Sequence, residues 1–179
     1  MVKTINKSFG VFGGSFDPVH KGHLKISKIA IKKLKLDKIL WLVTKKNPFK
    51  NKSFYSLTER VKKAKKMAKD EKKIKVISLD KTINASRSIN VINYLVNKKK
   101  LKNIYFIIGS DNLINFHKWK SWKKIVKLTK LTVFSRRGYD KKGKKSIVAK
   151  YLKKKIIFIN NKHILISSTH LRKQAQKKY

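Results

Sequence analysis

The chain has 179 residues, the size of one domain with a real hydrophobic core, and its 49 Lys and Arg against eight Asp and Glu give a formal net charge of +41. The absence of cysteine excludes disulfides, zinc–thiolate sites and a cysteine nucleophile, and so few carboxylates leave little material for the paired acids of glycosidases and aspartic proteases. No apolar run approaches the ~18 residues of a membrane span, and no apolar segment of a secretory signal precedes the first glycines, so we expect a soluble cytoplasmic protein.

Apolar runs and amphipathic stretches alternate along the chain. The predicted strands are Ser8–Gly14, Lys38–Thr44, Ile74–Leu79, Ile104–Gly109, Leu131–Ser135 and Ile156–Ile159. Helices are predicted at His23–Leu34, at Leu57–Ala68 after a capping box, from the N-cap Ser88 to Val96, in short pieces across Leu113–Leu128, and from Ser167–Thr169 onwards. Lys141–Lys145 is a low-complexity patch. This order predicts an α/β fold with a Rossmann-like, doubly wound parallel sheet, in a single domain over residues 1–179.

The most informative stretch joins the first strand to the first helix. The strand breaks at Gly13-Gly14, the chain turns at Asp17-Pro18, and two histidines follow on one helical face, His20 and His23. A glycine-rich turn that feeds a helix N-terminus is typical of a phosphate site, because free N–H groups and the helix dipole both attract an anion. Neither a Walker A loop nor G-x-G-x-x-G occurs. The alternative is an ordinary connection with two solvated histidines.

This stretch resembles the H-x-G-H nucleotidyltransferases and, within them, the nicotinate-nucleotide adenylyltransferases, whose signature G-G-x-F-D-P-x-H-x-G-H is matched from Gly13 to His23. The absence of a Cβ at Gly22 would let a nucleotide approach the backbone closely. The resemblance implies that His20 and His23 are catalytic. It also implies that the stretch binds ATP through Gly13, Gly14, Ser15, Phe16, His20, Gly22 and His23.

A second motif stands near the end of the chain. Ile166–Arg172 opens a helix with three hydroxyl residues and adds an arginine one turn later, which suits an anion but also suits an ordinary capped helix. The stretch resembles the family's I-S-S-T-x-x-R motif. The resemblance implies that Ser167, Ser168, Thr169 and the catalytic Arg172 hold the ATP phosphates opposite the two histidines.

A third segment follows the fourth predicted strand. Ile107–Leu113 and the aromatic residues after it resemble the family's I-G-x-D…F-x-x-W-x-x-W pattern. The resemblance implies that Gly109 and Asp111 bind the mononucleotide, with the carboxylate on sugar hydroxyls, and that Trp119 stacks on the nicotinate ring while Trp122 belongs to the core. The alternative places both tryptophans in the core.

Other positions match the family less closely. Lys50 and Arg60 resemble basic residues that approach the phosphates, although each could be a surface charge. Arg136 matches an arginine-rich turn and is assigned to mononucleotide binding. Asn90 and Asn93 replace threonines of the family's S-Y-T-x-x-T-L, so Asn90 is a candidate for the mononucleotide pocket and the substrate preference is open.

The resemblance implies transfer of AMP from ATP to nicotinate mononucleotide, giving nicotinate adenine dinucleotide and pyrophosphate in NAD biosynthesis. Mg²⁺ would be carried mainly by the ATP phosphates, with no metal held by the protein. The closest alternative is a sister transferase that acts on nicotinamide mononucleotide or phosphopantetheine. A lysine-rich, non-enzymatic nucleic-acid-binding protein would explain the charge but not the motifs. Because 44 of the 49 basic residues are lysines spread along the chain, we interpret most of them as solvated surface and expect no specific nucleic-acid partner and no membrane partner.

Overall fold

The computed structural model describes residues 7–45, 53–80, 82–85, 87–161, 168 and 171–172. Within these residues, six strands form one sheet: β1 (Phe9–Gly14), β2 (Lys38–Val43), β3 (Ile74–Ile77), β4 (Ile104–Gly109), β5 (Lys130–Phe134) and β6 (Ile157–Ile159). The α-helices are α1 (Lys21–Lys33), α2 (Leu57–Met67), α3 (Ser88–Asn93), α4 (Ser110–Ile114), α5 (Trp122–Leu128), α6 (Asp140–Lys144) and α7 (Ile147–Leu152). Short helical turns of other types are Tyr94–Lys98, Phe116–Lys118 and Lys153–Lys155.

All neighbouring strands are parallel, in the order β3-β2-β1-β4-β5-β6. The chain moves outward from β1 to β3 on one side, then returns to the other side of β1 with β4. Between β1 and β4 the order of strands therefore reverses, and this is the place where doubly wound sheets bind ligands, beyond the carboxyl ends of the strands. The Rossmann-like fold predicted from the sequence is confirmed.

Each central strand contributes to two cores because its side chains alternate between the two faces of the sheet. In β2, Ile39 and Trp41 pack on the face covered by α1 and α2, whereas Leu40 and Leu42 pack on the face covered by α3, α5 and α7. This explains why Lys38–Val43 reads as a continuous apolar run rather than as an alternating one. Among the described residues, no helix is long and apolar enough to cross a membrane.

Two details differ from the expectations. Ser88 is the first residue of α3 and not its N-cap; Arg87 holds that position without a side-chain cap hydrogen bond, and the α-helix gives way to a π-helical turn at Tyr94. The low-complexity patch lies mostly within α6, which packs on the start of α4. A Cβ at Gly143 would lie 3.0 Å from the Ser110 carbonyl oxygen, so the glycine allows this close approach.

The glycine in the middle of β1 gives a test of the packing. A Cβ at Gly10 would lie 2.8 Å from Leu36 Cδ1 and 2.9 Å from Ile39 Cγ1, both fully buried, whereas a Cβ at Gly13 would come no closer than 3.9 Å to a non-neighbouring atom. We expect Gly10→Ala to lower the free energy of unfolding by ~1–3 kcal/mol through overpacking, and Gly13→Ala to leave it within ~0.5 kcal/mol. Urea unfolding of both variants checks this; equal effects would contradict the packing of β1.

Candidate active site

Two histidines form the first turn of α1. His20 is the N-cap, and its Nδ1 accepts the backbone N–H of Gly22 at 3.1 Å. His23 reciprocates, because its Nδ1 accepts the backbone N–H of His20 at 3.2 Å. The pair therefore forms a capping box in which imidazoles take the roles usually played by Ser and Glu. Since each Nδ1 is an acceptor, each neutral ring carries its proton on Nε2 and keeps one N–H donor for a ligand.

Both rings are held neutral. Burial, with the positive Arg136 as a second cause, lowers the pKa of His20 from 6.5 to about 4. Burial, the neighbouring His20 and Arg136 together lower the pKa of His23 to about 3. The ring centroids are 3.9 Å apart, so a charge on one ring would oppose a charge on the other. At neutral pH the site therefore presents two N–H donors and no imidazolium.

The ring of Phe16 packs between His23 and the core residue Trp41. Phe16 is 1% exposed, adopts φ +48, and stacks on Trp41 with ring centroids 5.4 Å apart, while its other neighbour is the His23 ring at 4.7 Å. Trp41 Nε1 donates to the Ser27 hydroxyl, which donates to the His23 carbonyl oxygen. A left-handed conformation is costly for phenylalanine, so tight packing must hold it. The turn is thus fixed to the core directly beneath the histidines.

The segment before α2 is tied to the same turn by Asp17. Its two carboxylate oxygens accept the backbone N–H groups of Phe54 and Tyr55 at 2.8 and 2.9 Å. Asp17 is only 4% exposed, so these donors supply the hydrogen bonds that a buried carboxylate needs. Asp17 therefore joins two loops at the carboxyl edge of the sheet.

Arg60 differs from both interpretations of the sequence. It is neither a surface charge nor directed at a ligand, because it is 1% exposed and its guanidinium donates to four backbone carbonyls. The four acceptors come from three loop segments: Ser15 at 2.6 Å, Thr44 at 2.7 Å, Lys45 at 3.0 Å and Tyr55 at 3.1 Å. Arg60 is a structural tie between the loops that surround the site.

The C-terminal motif docks on the same turn. Ser168 and Arg172 are helical, and the Ser168 hydroxyl donates to the Pro18 carbonyl oxygen at 2.9 Å, while Arg172 donates to the carbonyl oxygen of Asp17. Two described residues of the second motif therefore contact the turn that leads to the histidines. The candidate residues Ser167, Thr169 and Lys50 lie outside the described residues.

A cavity of about 370 Å³ opens beside this turn, on the face of the sheet that carries α3 and α5. Gly13, Gly14 and Ser15 form one wall, and Gly109 and Trp119 form another. Trp119 is half-buried and leans on Phe116, with the two rings tilted at 38°, so it is exposed to the cavity and supported from behind. Trp122 is also half-buried, but packs on the core and on Tyr151 instead.

Three basic side chains at this cavity were not identified from the sequence. Arg87, Lys118 and Lys120 line it, together with Ser88 and Val91 of α3. In a chain with 44 lysines, no sequence signal distinguishes these positions from the rest. Asn90, which was assigned to this pocket, does not line it; its side-chain amide donates to the Asn84 carbonyl oxygen at 3.0 Å. The amide helps to order the preceding loop instead.

Asp111 and Arg136 form an ion pair next to Gly109, which lines the cavity, although neither of the two side chains lines it. Arg136 Nη1 lies 2.7 Å from Asp111 Oδ2, and the arginine side chain is half-exposed. The other carboxylate oxygen, Oδ1, is buried without a hydrogen-bond partner among the described residues and packs against Gly109, where a Cβ would lie too close to it. An unpaired buried acceptor is costly, so this oxygen is suited to receive a donor from a ligand.

The neutral histidines predict how stability depends on pH. Below pH 6.5 the histidines of the unfolded chain take up protons, whereas His20 and His23 stay neutral until the pH nears 4 and 3, so their contribution to the free energy of unfolding falls as the pH falls through this window. Urea unfolding between pH 7 and pH 4 checks this, with the double variant His20→Asn/His23→Asn expected to lose less stability over that range. Ring nitrogen NMR that showed protonation of both rings near pH 6.5 would contradict the assignment.

Known proteins share both the sequence and the fold. The sequence model of the cytidylyltransferase-like family matches residues 11–174. A probable nicotinate-nucleotide adenylyltransferase of Pelagibacter ubique (strain HTCC1062) is 50% identical over 165 residues, which cover 92% of this chain and 91% of that protein. A relative of the same description from Methylorubrum extorquens (strain PA1) is 36% identical over 131 residues, covering 73% of this chain and 70% of its own length.

Among solved structures, Plasmodium falciparum nicotinic acid mononucleotide adenylyltransferase complexed with NaAD superposes with a TM-score of 0.70 at 20% identity, covering 93% of this chain and 83% of that one. A putative nicotinate-nucleotide adenylyltransferase from Vibrio parahaemolyticus gives a TM-score of 0.63 at 15% identity, and the match covers 96% of this chain and 88% of that one. These two likenesses concern the fold, and the sequence relatives establish the family. The chain belongs to the nicotinate-nucleotide adenylyltransferases of the cytidylyltransferase-like family.

Proposed function

We propose that the chain transfers AMP from ATP to nicotinate mononucleotide, giving nicotinate adenine dinucleotide and pyrophosphate as a step of NAD biosynthesis. The observation that carries the proposal is the histidine capping box, which leaves two Nε2–H donors at the N-terminus of α1, beside a cavity at the switch point of the sheet. The family membership of the chain agrees with this reaction.

The reaction needs positioning and charge stabilisation more than a chemical group from the protein. The 5′-phosphate of the mononucleotide attacks the α-phosphorus of ATP in line, the new P–O bond forms as the bond to pyrophosphate breaks, and no enzyme-bound intermediate arises. His20 and His23 donate Nε2–H groups to the ATP phosphates, where negative charge builds up. Arg172, with Ser167, Ser168 and Thr169, holds the departing pyrophosphate in this proposal.

The mononucleotide occupies the cavity of about 370 Å³. Trp119 supplies a flat surface for the pyridine ring, and the unpaired Oδ1 of Asp111 accepts a hydrogen bond from a ribose hydroxyl. Arg136 lies close enough to the histidines to lower the pKa of both, and in this proposal it binds the mononucleotide phosphate. We propose the same role for Lys50. Because Gly13 and Gly14 have no side chains, they leave room for the α-phosphate of ATP and the 5′-phosphate of the mononucleotide to approach each other.

Magnesium enters as part of the substrate. Among the described residues, four carboxylates follow strands at this edge of the sheet, and each already accepts a donor from the protein. Asp17 accepts two backbone N–H groups, and Asp80 accepts the Lys45 N–H. Asp140 accepts the Ser110 hydroxyl, and Asp111 pairs with Arg136 through one of its two oxygens. In the described part of the chain, no three His, Asp or Glu side chains cluster as a metal site would require. We therefore propose that Mg²⁺ is bound mainly by ATP oxygens and water, which suits its preference for phosphate ligands. We also propose that the reaction takes place in the cytoplasm.

Asparagine variants separate the two roles of the histidines. The asparagine side chain can accept the backbone N–H as Nδ1 does, but it has no donor at the position of Nε2. We expect His20→Asn or His23→Asn to lower kcat by ~10²–10³, the typical cost of losing a donor to developing charge, while the melting temperature stays within a few degrees. Steady-state kinetics with ATP and nicotinate mononucleotide measure this.

Alanine variants provide the control, because they remove the cap as well as the donor. His20→Ala should lose similar activity and an additional ~1 kcal/mol of stability. If the asparagine variants retain more than about one fifth of the wild-type kcat, well above the loss expected for a missing donor, the histidines do not act on the phosphates.

The cavity charges predict a preference for the acid over the amide. Nicotinate carries a carboxylate where nicotinamide is neutral, and the basic side chains that line the cavity are Arg87, Lys118 and Lys120. We expect kcat/KM for nicotinate mononucleotide to be at least ~10-fold above that for nicotinamide mononucleotide. The ratio of the two values should decrease several-fold in the double variant Lys118→Gln/Lys120→Gln, which removes two of these positive charges. A matched pair on α2, Lys62→Gln/Lys65→Gln, should leave the ratio unchanged.

A competition assay with both mononucleotides, and with phosphopantetheine as a third acceptor, checks this preference. An excess of the amide product would overturn the specificity and leave adenylyl transfer intact. An excess of the phosphopantetheine product would overturn the proposed acceptor. A ratio that changes equally in both pairs of variants would show that the overall field, and not the cavity lysines, selects the acid.

A further inference from the structure

A second concave surface lies away from the active site. It runs between α5 and the end of α7 with the turn Lys153–Lys155, and we call it the lysine groove; its volume is about 1200 Å³. Because α5 leads into β5 and the turn leads into β6, the groove faces the amino edge of the sheet, whereas the histidines lie at the carboxyl edge. Its residues take no part in the adenylyl transfer proposed above.

The groove concentrates positive charge beyond the average of the chain. Six of the ten described residues that line it are lysines: Lys123, Lys124, Lys127, Lys153, Lys154 and Lys155. After Asp111 the sequence contains a single acidic residue, Asp140, and its carboxylate already accepts the Ser110 hydroxyl and the Arg136 backbone N–H. Because the six lysines line one groove and no acidic residue is among its described lining, their fields reinforce one another at its surface.

An exposed aromatic ring stands in the groove. Tyr151 is 56% exposed and packs its ring edge-on against Trp122, with the centroids 5.1 Å apart. Lys123 Nζ lies over both rings, 5.7 Å from the centroid of Tyr151 and 5.9 Å from that of Trp122. A large exposed aromatic residue that is held in place, beside cations, offers one flat surface to a planar ligand.

The turn that carries three of the lysines is conformationally strained. Lys153 adopts φ +50, a conformation that non-glycine residues rarely occupy, and the surrounding packing must maintain it. The strain has the effect of presenting Lys153, Lys154 and Lys155 as one cluster on the groove. The groove therefore combines a cluster of cations with an exposed aromatic ring.

We propose that the lysine groove binds single-stranded nucleic acid without sequence preference. The lysines pair with successive phosphates and Tyr151 stacks on an unpaired base, which is the combination by which proteins bind single strands. A duplex keeps its bases stacked inside and would not use the ring. An anionic membrane would be attracted by the charge alone, so it is the competing occupant that the experiment distinguishes.

The test uses the full-length protein and a labelled uridine oligomer of ~20 nucleotides, with affinity measured by fluorescence anisotropy at several salt concentrations. We expect Lys153→Gln/Lys154→Gln/Lys155→Gln to weaken binding at least tenfold and to lower the slope of log K against log salt by about 2, because each lost phosphate contact on a single strand contributes ~0.7. Tyr151→Leu should weaken binding about fivefold or more without changing the slope.

The matched control removes the same charge from exposed positions on α2, with Lys62→Gln/Lys65→Gln/Lys66→Gln. We expect this control to bind the oligomer within about twofold of the wild type and all the variants to retain adenylyl transfer. Equal losses in the two triple variants would overturn the proposal, since they would show diffuse attraction to the whole surface. Binding to anionic phospholipid vesicles in preference to the oligomer would also overturn it. Neither result bears on adenylyl transfer.

Discussion

The site depends on one buried guanidinium. Arg60 donates to four backbone carbonyls, at Ser15, Thr44, Lys45 and Tyr55, and thereby joins the turn after β1 to the segments on both sides of the loop before α2. A charge in the interior is stable only when hydrogen-bonded throughout, so these loops cannot separate without exposing it or leaving it unpaired. Asp17 adds a second link between the turn and the segment before α2, through its carboxylate.

The hydrogen bonds of Arg60 and Asp17 fix the loops around the histidines, which bears on how neutral rings can act on negatively charged phosphates in the proposed reaction. The two imidazole rings are held in place, because each Nδ1 accepts a backbone N–H group of the first helical turn. The His23 ring also packs on Phe16, which stacks on Trp41. Donors fixed before the substrate arrives need no rearrangement when charge develops on the phosphates. In the reaction proposed above, Arg136 and Arg172 attract the phosphates, and the imidazoles donate hydrogen bonds in fixed directions. Because the pKa values of both histidines lie well below 7, their Nε2–H donors are retained around neutral pH.

Much of the fold could be predicted from the sequence, because apolar runs such as Ile104–Gly109 specify buried parallel strands. The first helix was also predicted, but from His23 onwards; it begins at Lys21, because the imidazole of His20 serves as an N-cap in place of the usual Ser, Thr, Asp or Asn. The helix α6 was harder to recognise, since its lysines conceal any apolar face and its contact is made by the backbone at Gly143. The function of Arg60 could not be predicted, because its partners are carbonyl oxygens of distant residues. Arg87 and Lys118 reach the cavity only through tertiary packing.

The two ends of the sheet are its shortest strands, β3 with four residues and β6 with three. An edge strand exposes backbone groups to which another chain can add, and proteins commonly limit that risk by shortening the edge or charging it. Here both measures occur, since Lys75 is exposed on β3 and Lys144 covers the ring of Phe158 on β6. A second copy that approached either edge would bring lysine against lysine. Lysines beside the two outermost described strands would therefore oppose the addition of another sheet edge there.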